Sequence, residues 1–397
     1  MAWVAYIIGT CPGCGAQESF GHTGVFASHI TLGCTCCQHL ERIPLPQIRK
    51  KVLYLDQFFF SHAFRGDVPR FLDAARRIER LASLQLLVVP YSSIHEDETH
   101  LWKQHAGLTK FIKTTARGHE FVPAYVVEQT QIISSFRSWL EGGPPAYRIN
   151  LDEALGAEAR TWEDYVRADV GIYLGNIDRT RALKALSVER LIALFDGWER
   201  LTTTFEEDLQ EEYTASVKKH FTEFLSYVER VRSGDPMAWW DSSIASMVVE
   251  NMLRVLPRDL PIQDKLQQCD EYFRSSHYLE APFHWIRAHI FATLKVMVKE
   301  DRSYANRNKA SDRLKGFFYD VDHIATYAPY VDAILTDKPM AELVARRSVA
   351  LEARYGVRVF SLNTWDDFMA WLDDVEATGM TKEHRTVLQA AYPTIKF

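Results

Sequence analysis

The chain has 397 residues, 47% of them apolar and 25% charged, the balance of a globular protein long enough for two or three domains. A formal net charge of -6 excludes a general electrostatic attraction to nucleic acid, so any basic contact surface has to be local. No apolar run reaches the roughly eighteen residues of a membrane span. The opening MAWVAYIIGTC lacks the basic and small-residue marks of a signal peptide, so the expectation is a cytoplasmic protein with no membrane partner.

Cysteines dominate the first segment, residues 1–46. Five lie between positions 11 and 37, and Cys269 stands alone. In a reducing compartment such clustering points to metal rather than disulfides. Cys11 and Cys14 form one C-x2-C pair and Cys34 and Cys37 another. Each pair makes a tight turn that aims two thiolates at one point, and Gly13 and Gly15 permit those turns. Four thiolates complete a tetrahedral shell around Zn2+, which makes the site structural rather than catalytic. Cys36 or His22 stays open as a substitute ligand. The apolar runs Trp3–Ile8 and Ile30–Leu32 suit short ribbon strands. So small a segment buries little core, so the metal is expected to fold it.

After the basic step Arg49-Lys50-Lys51 the pattern changes. Val52–Leu55 reads as a strand, Val68–Leu84 as an amphipathic helix and Leu84–Val89 as a second strand, together a parallel β-α-β unit. Residues 50–105 form the first part of an α/β domain. Residues 106–300 read as a helical insertion with breaks near Gly142–Pro145 and Gly234–Pro236. Its acidic run Glu206, Glu207, Asp208, Glu211 and Glu212 reads as a solvated face, and His284 and His289 as satisfied core histidines. Residues 301–397 complete the α/β domain. Ala333–Thr336 and Val357–Leu362 are strands, and Asn363 or Thr364 caps a last helix, Trp365–Leu372.

Parallel sheets bind ligands at the carboxyl ends of their strands. Asp56 and Asp337 each end a strand, Glu98 follows the second strand, and Asp320 precedes a helical run. An acid after a strand is often only a helix cap. Four acids from distant parts of the chain suggest more, because clustered carboxylates repel unless a cation neutralises them. Hard oxygen ligands favour Mg2+ or Mn2+, which activates water and stabilises charge on a phosphodiester under in-line attack. The expected activity is metal-dependent nucleic-acid hydrolysis.

The stretches VLYLDQFFF, PYSSIHEDET and YDVDHIATYAPYVDAILTDKPM resemble the PIN-like ribonuclease superfamily, particularly bacterial members with a Y-L-D-Q element. The resemblance covers roughly 52–102 and 280–373. It implies a PIN-like parallel sheet, so that the expected fold is a PIN-like α/β domain interrupted by the large helical insertion and preceded by the zinc ribbon. It also implies Asp56, Glu98, Asp320 and Asp337 as the catalytic acids, and RNA as substrate. Ser92 and His95 belong to the element that carries Glu98, and Asp322 and Asp332 are accessory candidates. Phe58 departs from the polar residue common in related sequences, and the insertion exceeds that of a minimal PIN domain.

The basic run containing Arg307, Lys309, Arg313 and Lys315 reads either as a solvated loop or as a phosphate-contacting rim beside Asp320. The helical region is the expected surface for a second copy or a protein partner. Two other readings stay in play. One is a non-catalytic nucleic-acid or protein adaptor with a degenerate PIN-like site. The other rests on Gly316–Asp322, which resembles the D-x-D nucleophile loop of haloacid-dehalogenase-like phosphatases. That loop requires a strand at 316–320, whereas the nuclease requires a helix through Asp320. His95, Glu98 and His100 lack a further ligand at zinc spacing. No phosphate-binding or dinucleotide-binding glycine motif and no Ser-His-Asp order appears.

Overall fold

The computed structural model describes residues 2–100, 102, 105–163, 189–241, 243, 245–300, 310, 314 and 316–393. In chain order come β1 Tyr6–Gly9, β2 Phe20–Phe26, β3 His29–Cys34, β4 Leu40–Pro44 and β5 Lys51–Leu55. Then follow helices α1 Gln57–Arg65 and α2 Pro69–Ser83, strand β6 Leu87–Val88, and helices α3 Ser93–His100, α4 His105–Thr115 and α5 Ala124–Leu140. The longer helices of the central region are α6 Phe205–Arg232, α7 Ser246–Val255, α8 Ile262–Phe273 and α9 Pro282–Glu300. The chain closes with α10 Phe317–Tyr327, β7 Ala333–Leu335, α11 Lys338–Val344, β8 Arg358–Phe360, α12 Trp365–Gly379 and α13 Lys382–Ala391. The protein is thus mixed α/β and mostly helical. Among the described residues no helix is long and apolar enough to cross a membrane.

The ribbon is an antiparallel meander, β1-β2-β3-β4. Gly21 lets β1 approach β2, since a Cβ there would meet the Tyr6 carbonyl oxygen at 1.9 Å. Phe20, Val25, Ile30 and Leu32 point inward and join the same apolar core as Leu53, Leu55 and Phe59 of the α/β domain. The ribbon is therefore packed onto its neighbour rather than tethered by a linker.

The second sheet is parallel, in the order β6-β5-β7-β8. Side chains alternate across it as strand geometry requires. Val52, Tyr54, Val88 and Ile334 face one core, covered by α9, α10 and α11. Leu53, Leu55, Leu87, Ala333 and Leu335 face the other, covered by α1, α2, α12 and α13. Local signals explain the helix ends. Asp56 caps α1 and Gly66, at φ 66°, stops it. Pro69 occupies the first turn of α2, and Thr204 and Glu207 form a capping box on α6. Gly142 and Gly234 adopt positive φ just past α5 and α6, where the sequence breaks were expected.

The four expected strands of this sheet are present; β5 covers its whole apolar run, whereas the other three are shorter than theirs, β6 having two residues. Two helices placed in the insertion by their sequence position also serve the α/β core, α9 while packing on the helical region as well. Helix α4 packs on α1 and α3, and α9 contributes Ile286, Ile290 and Leu294 to one sheet face. Helices α5 to α8 build a separate core around Phe136, Tyr272 and Phe273. The acidic run on α6 is not simply solvated. Asp208 is buried and pairs with Lys299 at 2.5 Å, and Glu211 and Glu212 hold Lys295 at 2.7 and 2.8 Å.

Candidate functional site

Strand order locates the site. Chain leaving β5 turns toward β6, and chain leaving β7 turns toward β8 on the opposite side. A crevice therefore opens between the carboxyl ends of β5 and β7, the switch point where open parallel sheets bind ligands. Leu55 and Leu335 are paired across these strands. Asp56 follows the first directly, and Asp337 follows the second after Thr336, so both acids stand at the crevice.

Each acid is also a cap. Asp56 Oδ1 accepts from the Gln57 amide at 2.6 Å, and Asp337 Oδ1 accepts from the Met340 amide at 2.8 Å. Capping occupies one oxygen of each carboxylate. Asp56 Oδ2 lies 3.5 Å from the Thr336 hydroxyl. Asp56 is 6% exposed, and its carboxyl is pushed up to about 8 by burial, then by the charges of Glu98 and Asp337. Burial also raises Asp337. Asp320 and Asp337 line one shared pocket with Leu294, Met297 and Phe317. The Tyr54 phenol, behind the crevice, is raised by burial and by the charges of Asp56, Asp320 and Glu98. Three of the four sequence-identified acids thus act on Tyr54, and Asp337 acts on Asp56.

Ser92, His95 and His323 lie beneath this acidic surface in a buried hydrogen-bonded chain with Tyr54. His95 Nδ1 accepts from the Ser92 amide at 3.0 Å, and Nε2 donates to the Leu55 carbonyl at 2.9 Å. Both ring nitrogens are therefore committed, which makes His95 a positioning residue and not a metal ligand. Burial lowers it to about 4, and the Leu55 carbonyl opposes that only in part. Ser92 Oγ reaches His323 Nε2 at 3.0 Å, and His323 Nδ1 meets the Tyr54 hydroxyl. The chain fixes the end of β5 against α3 and α10, which carry Glu98 and Asp320. Gln57 adds a second link to α3, donating to Thr99 Oγ1 at 2.9 Å.

Asp332 and Asp322 do not join the acids. Asp332 precedes β7 and so lies at the far end of the sheet, accepting from Lys51 Nζ at 2.7 Å and the Val52 amide at 2.9 Å. Asp322 faces α9, with Arg287 Nε at 3.4 Å. Arg307, Lys309, Arg313 and Lys315 lie outside the described residues. Helix α10 runs through Asp320, so the strand that an aspartyl-phosphatase loop requires is replaced by a helix.

Sequence reasoning passed over Tyr54, Gln57 and His323. Alternation along β5 does place Tyr54 on the opposite face from Leu55. The identity of its partner depends on α10 returning to the sheet, which no local pattern announces. A second buried charge cluster was also missed. Lys50 pairs with Glu163, which His119 Nε2 approaches at 2.8 Å. Burial would raise Glu163, but the His119 hydrogen bond and the Lys50 charge outweigh it and hold the carboxyl at about 2.

The ribbon thiolates converge. Cys11 and Cys37 Sγ are 3.7 Å apart, Cys14 and Cys34 Sγ 3.8 Å, and all four sulfurs lie within 4.8 Å of one another. A tetrahedral ion with Zn–S bonds of about 2.3 Å separates its sulfurs by roughly 3.8 Å. A disulfide would bring them to about 2.0 Å. Three of the four sulfurs also accept from the backbone amide two residues on, Cys11 Sγ from Gly13, Cys34 Sγ from Cys36 and Cys37 Sγ from His39. Cys36 is exposed and outside the group, so Cys37 completes it. These four cysteines suit a structural metal such as zinc.

No protein-family model matches the chain, and neither curated proteins nor solved structures show significant similarity to it.

Proposed function

We propose that the protein is a Mg2+- or Mn2+-dependent nuclease of PIN-like type that hydrolyses phosphodiester bonds in RNA. Asp56, Glu98, Asp320 and Asp337 are its metal-facing acids. The observation that carries this reading is the placement of Asp56 and Asp337 at neighbouring strand ends, on the switch point of the sheet, with Glu98 acting on Asp56. Mutual repulsion and burial make Asp56 a poor carboxylate on its own, the condition a divalent cation relieves. When bound, that cation would activate water and neutralise developing phosphate charge. The chain's own residues orient the acids: backbone amides hold one oxygen of Asp56 and one of Asp337, and the Tyr54–His323–Ser92–His95 chain holds the helices behind them. RNA as substrate rests on the PIN-like resemblance, as does the assignment of Arg307, Lys309, Arg313 and Lys315 to the substrate rim. Zn2+ on Cys11, Cys14, Cys34 and Cys37 is assigned a folding role.

Incubation of the purified chain with single-stranded RNA and Mn2+ is expected to give cleavage that Asp56→Asn combined with Asp320→Asn abolishes. Cleavage that survives the double substitution removes the proposal. One observation favours the adaptor reading: among the described residues, the acidic oxygens do not gather within 4.8 Å as the ribbon sulfurs do. An adaptor would bind without cleaving in any metal.

A further inference from the structure

A second cluster of metal-ligand type lies in the helical region, away from both the ribbon and the crevice. Glu128 of α5, His220 of α6 and His284 of α9 direct one ligand atom each toward a common point, all within 4.8 Å of one another. Three helices distant in sequence therefore converge there. Both histidines are buried, at 3% and 4% exposure.

Their hydrogen-bonding is incomplete in a particular way. His284 Nδ1 is engaged by Ser216 Oγ at 3.2 Å and Tyr278 Oη at 3.1 Å. Either hydroxyl can accept, so a proton on Nδ1 leaves the Nε2 lone pair facing the cluster. His284 Nε2 and both nitrogens of His220 make no hydrogen bond among the described residues. The Ala245 backbone acts on His220 without reaching hydrogen-bond geometry. Buried polar atoms are nearly always satisfied, so the two orphaned Nε2 atoms facing Glu128, of His220 and His284, call for an occupant.

Glu128 does not satisfy them. Its Oε1 lies 3.5 Å from His284 Nε2 and 4.0 Å from His220 Nε2, beyond a normal hydrogen bond. Bonds of about 2.0–2.1 Å to a tetrahedral ion place ligand atoms roughly 3.3 Å apart. The first separation is close to that spacing, and the second exceeds it by well under an ångström. The hydroxyls on His284 supply the outer hydrogen bonds that metal-bound histidines use. Lys219 and Arg287 are the nearby opposing charges acting on Glu128, and Arg287 is paired with Asp322. The carboxylate keeps 23% side-chain exposure, which gives an ion a way in.

We infer that Glu128, His220 and His284 bind a divalent ion of the zinc class, clamping α5, α6 and α9 together. Two imidazoles and one carboxylate are a borderline-soft donor set, unlike the all-oxygen crevice and the all-sulfur ribbon. The clamp stands apart from the nuclease reading.

Zinc K-edge absorption on the full chain, loaded with Zn2+ and dialysed, tests it. Two environments are expected: a sulfur shell at about 2.3 Å from the ribbon, and a nitrogen/oxygen shell at about 2.0–2.1 Å with imidazole multiple scattering. His284→Gln and His220→Ala should each keep the first and lose the second, with zinc content falling by about half. A sulfur shell alone in the wild-type protein overturns the assignment, as does a nitrogen/oxygen shell that both variants retain. The wild-type spectrum decides even if a variant fails to fold, because imidazole scattering separates this site from carboxylates. A cluster that holds only water gives the sulfur-only result.

Discussion

Asp56 caps α1 and, in the proposed reading, also faces a metal, two duties that can be separated by one atom. As a cap it needs an oxygen for the Gln57 amide, and as a metal-facing acid it needs a charge. Asparagine caps about as well as aspartate. Asp56→Asn should therefore change unfolding free energy by less than about 1 kcal/mol, measured by urea denaturation. It should lower Mn2+-dependent cleavage by about a hundredfold or more, as loss of a charge-stabilising group does. Loss of stability with activity intact would reverse both assignments. Glu163 shows the opposite electrostatics. Its folded carboxyl sits at about 2, below the ordinary value, so it contributes stability above roughly pH 4.5 that is lost as pH falls toward 2. Glu163→Gln takes the Glu163 charge away from buried Lys50. The substitution should cost about 3 kcal/mol near neutral pH, with the gap to wild type narrowing across that acid window. A pH-independent difference would mean that packing rather than charge is what matters there.

At the scale of elements, the ribbon depends on close backbone approach as well as on its thiolates. Gly21→Ala places a methyl group against the Tyr6 carbonyl and forces β1 away from β2. A cost of about 1–3 kcal/mol is expected, seen as faster zinc release to a chromogenic chelator. Unchanged release would show that β1 is dispensable. The ribbon was legible in the sequence because its chemistry is local: cysteine spacing specifies the knuckles. Apolar runs likewise announced all four parallel strands, and Asp56 and Asp337 could be placed at strand ends. Helices α4 and α9 were harder to assign. Amphipathic periodicity says that a face is buried but not against what, and α9, apolar on nearly every side, serves the sheet and the helical core at once. Asp332 was misplaced for a related reason, since a three-residue strand puts acids before and after it close in sequence but at opposite ends of the sheet. His284 read as a satisfied core residue because burial is legible in the pattern, whereas its orphaned nitrogen is a property of helix packing.

The whole molecule arranges three donor chemistries in three places. Sulfur gathers in the ribbon, imidazole with carboxylate between α5, α6 and α9, and carboxylates at the mouth of the parallel sheet. The order β6-β5-β7-β8 is what makes the last of these a candidate site, because it opens the crevice where Asp56 and Asp337 stand. That order depends on a return from α10 across more than half of the chain, which lies beyond local pattern. The central claim is that these acids share one divalent cation. Anomalous diffraction from crystals soaked in Mn2+ tests it most directly. The account predicts a manganese peak at the carboxyl ends of β5 and β7, bounded by Asp56 and Asp337, that disappears in Asp56→Asn. Manganese absent from that crevice, or bound there unchanged in the variant, would contradict it.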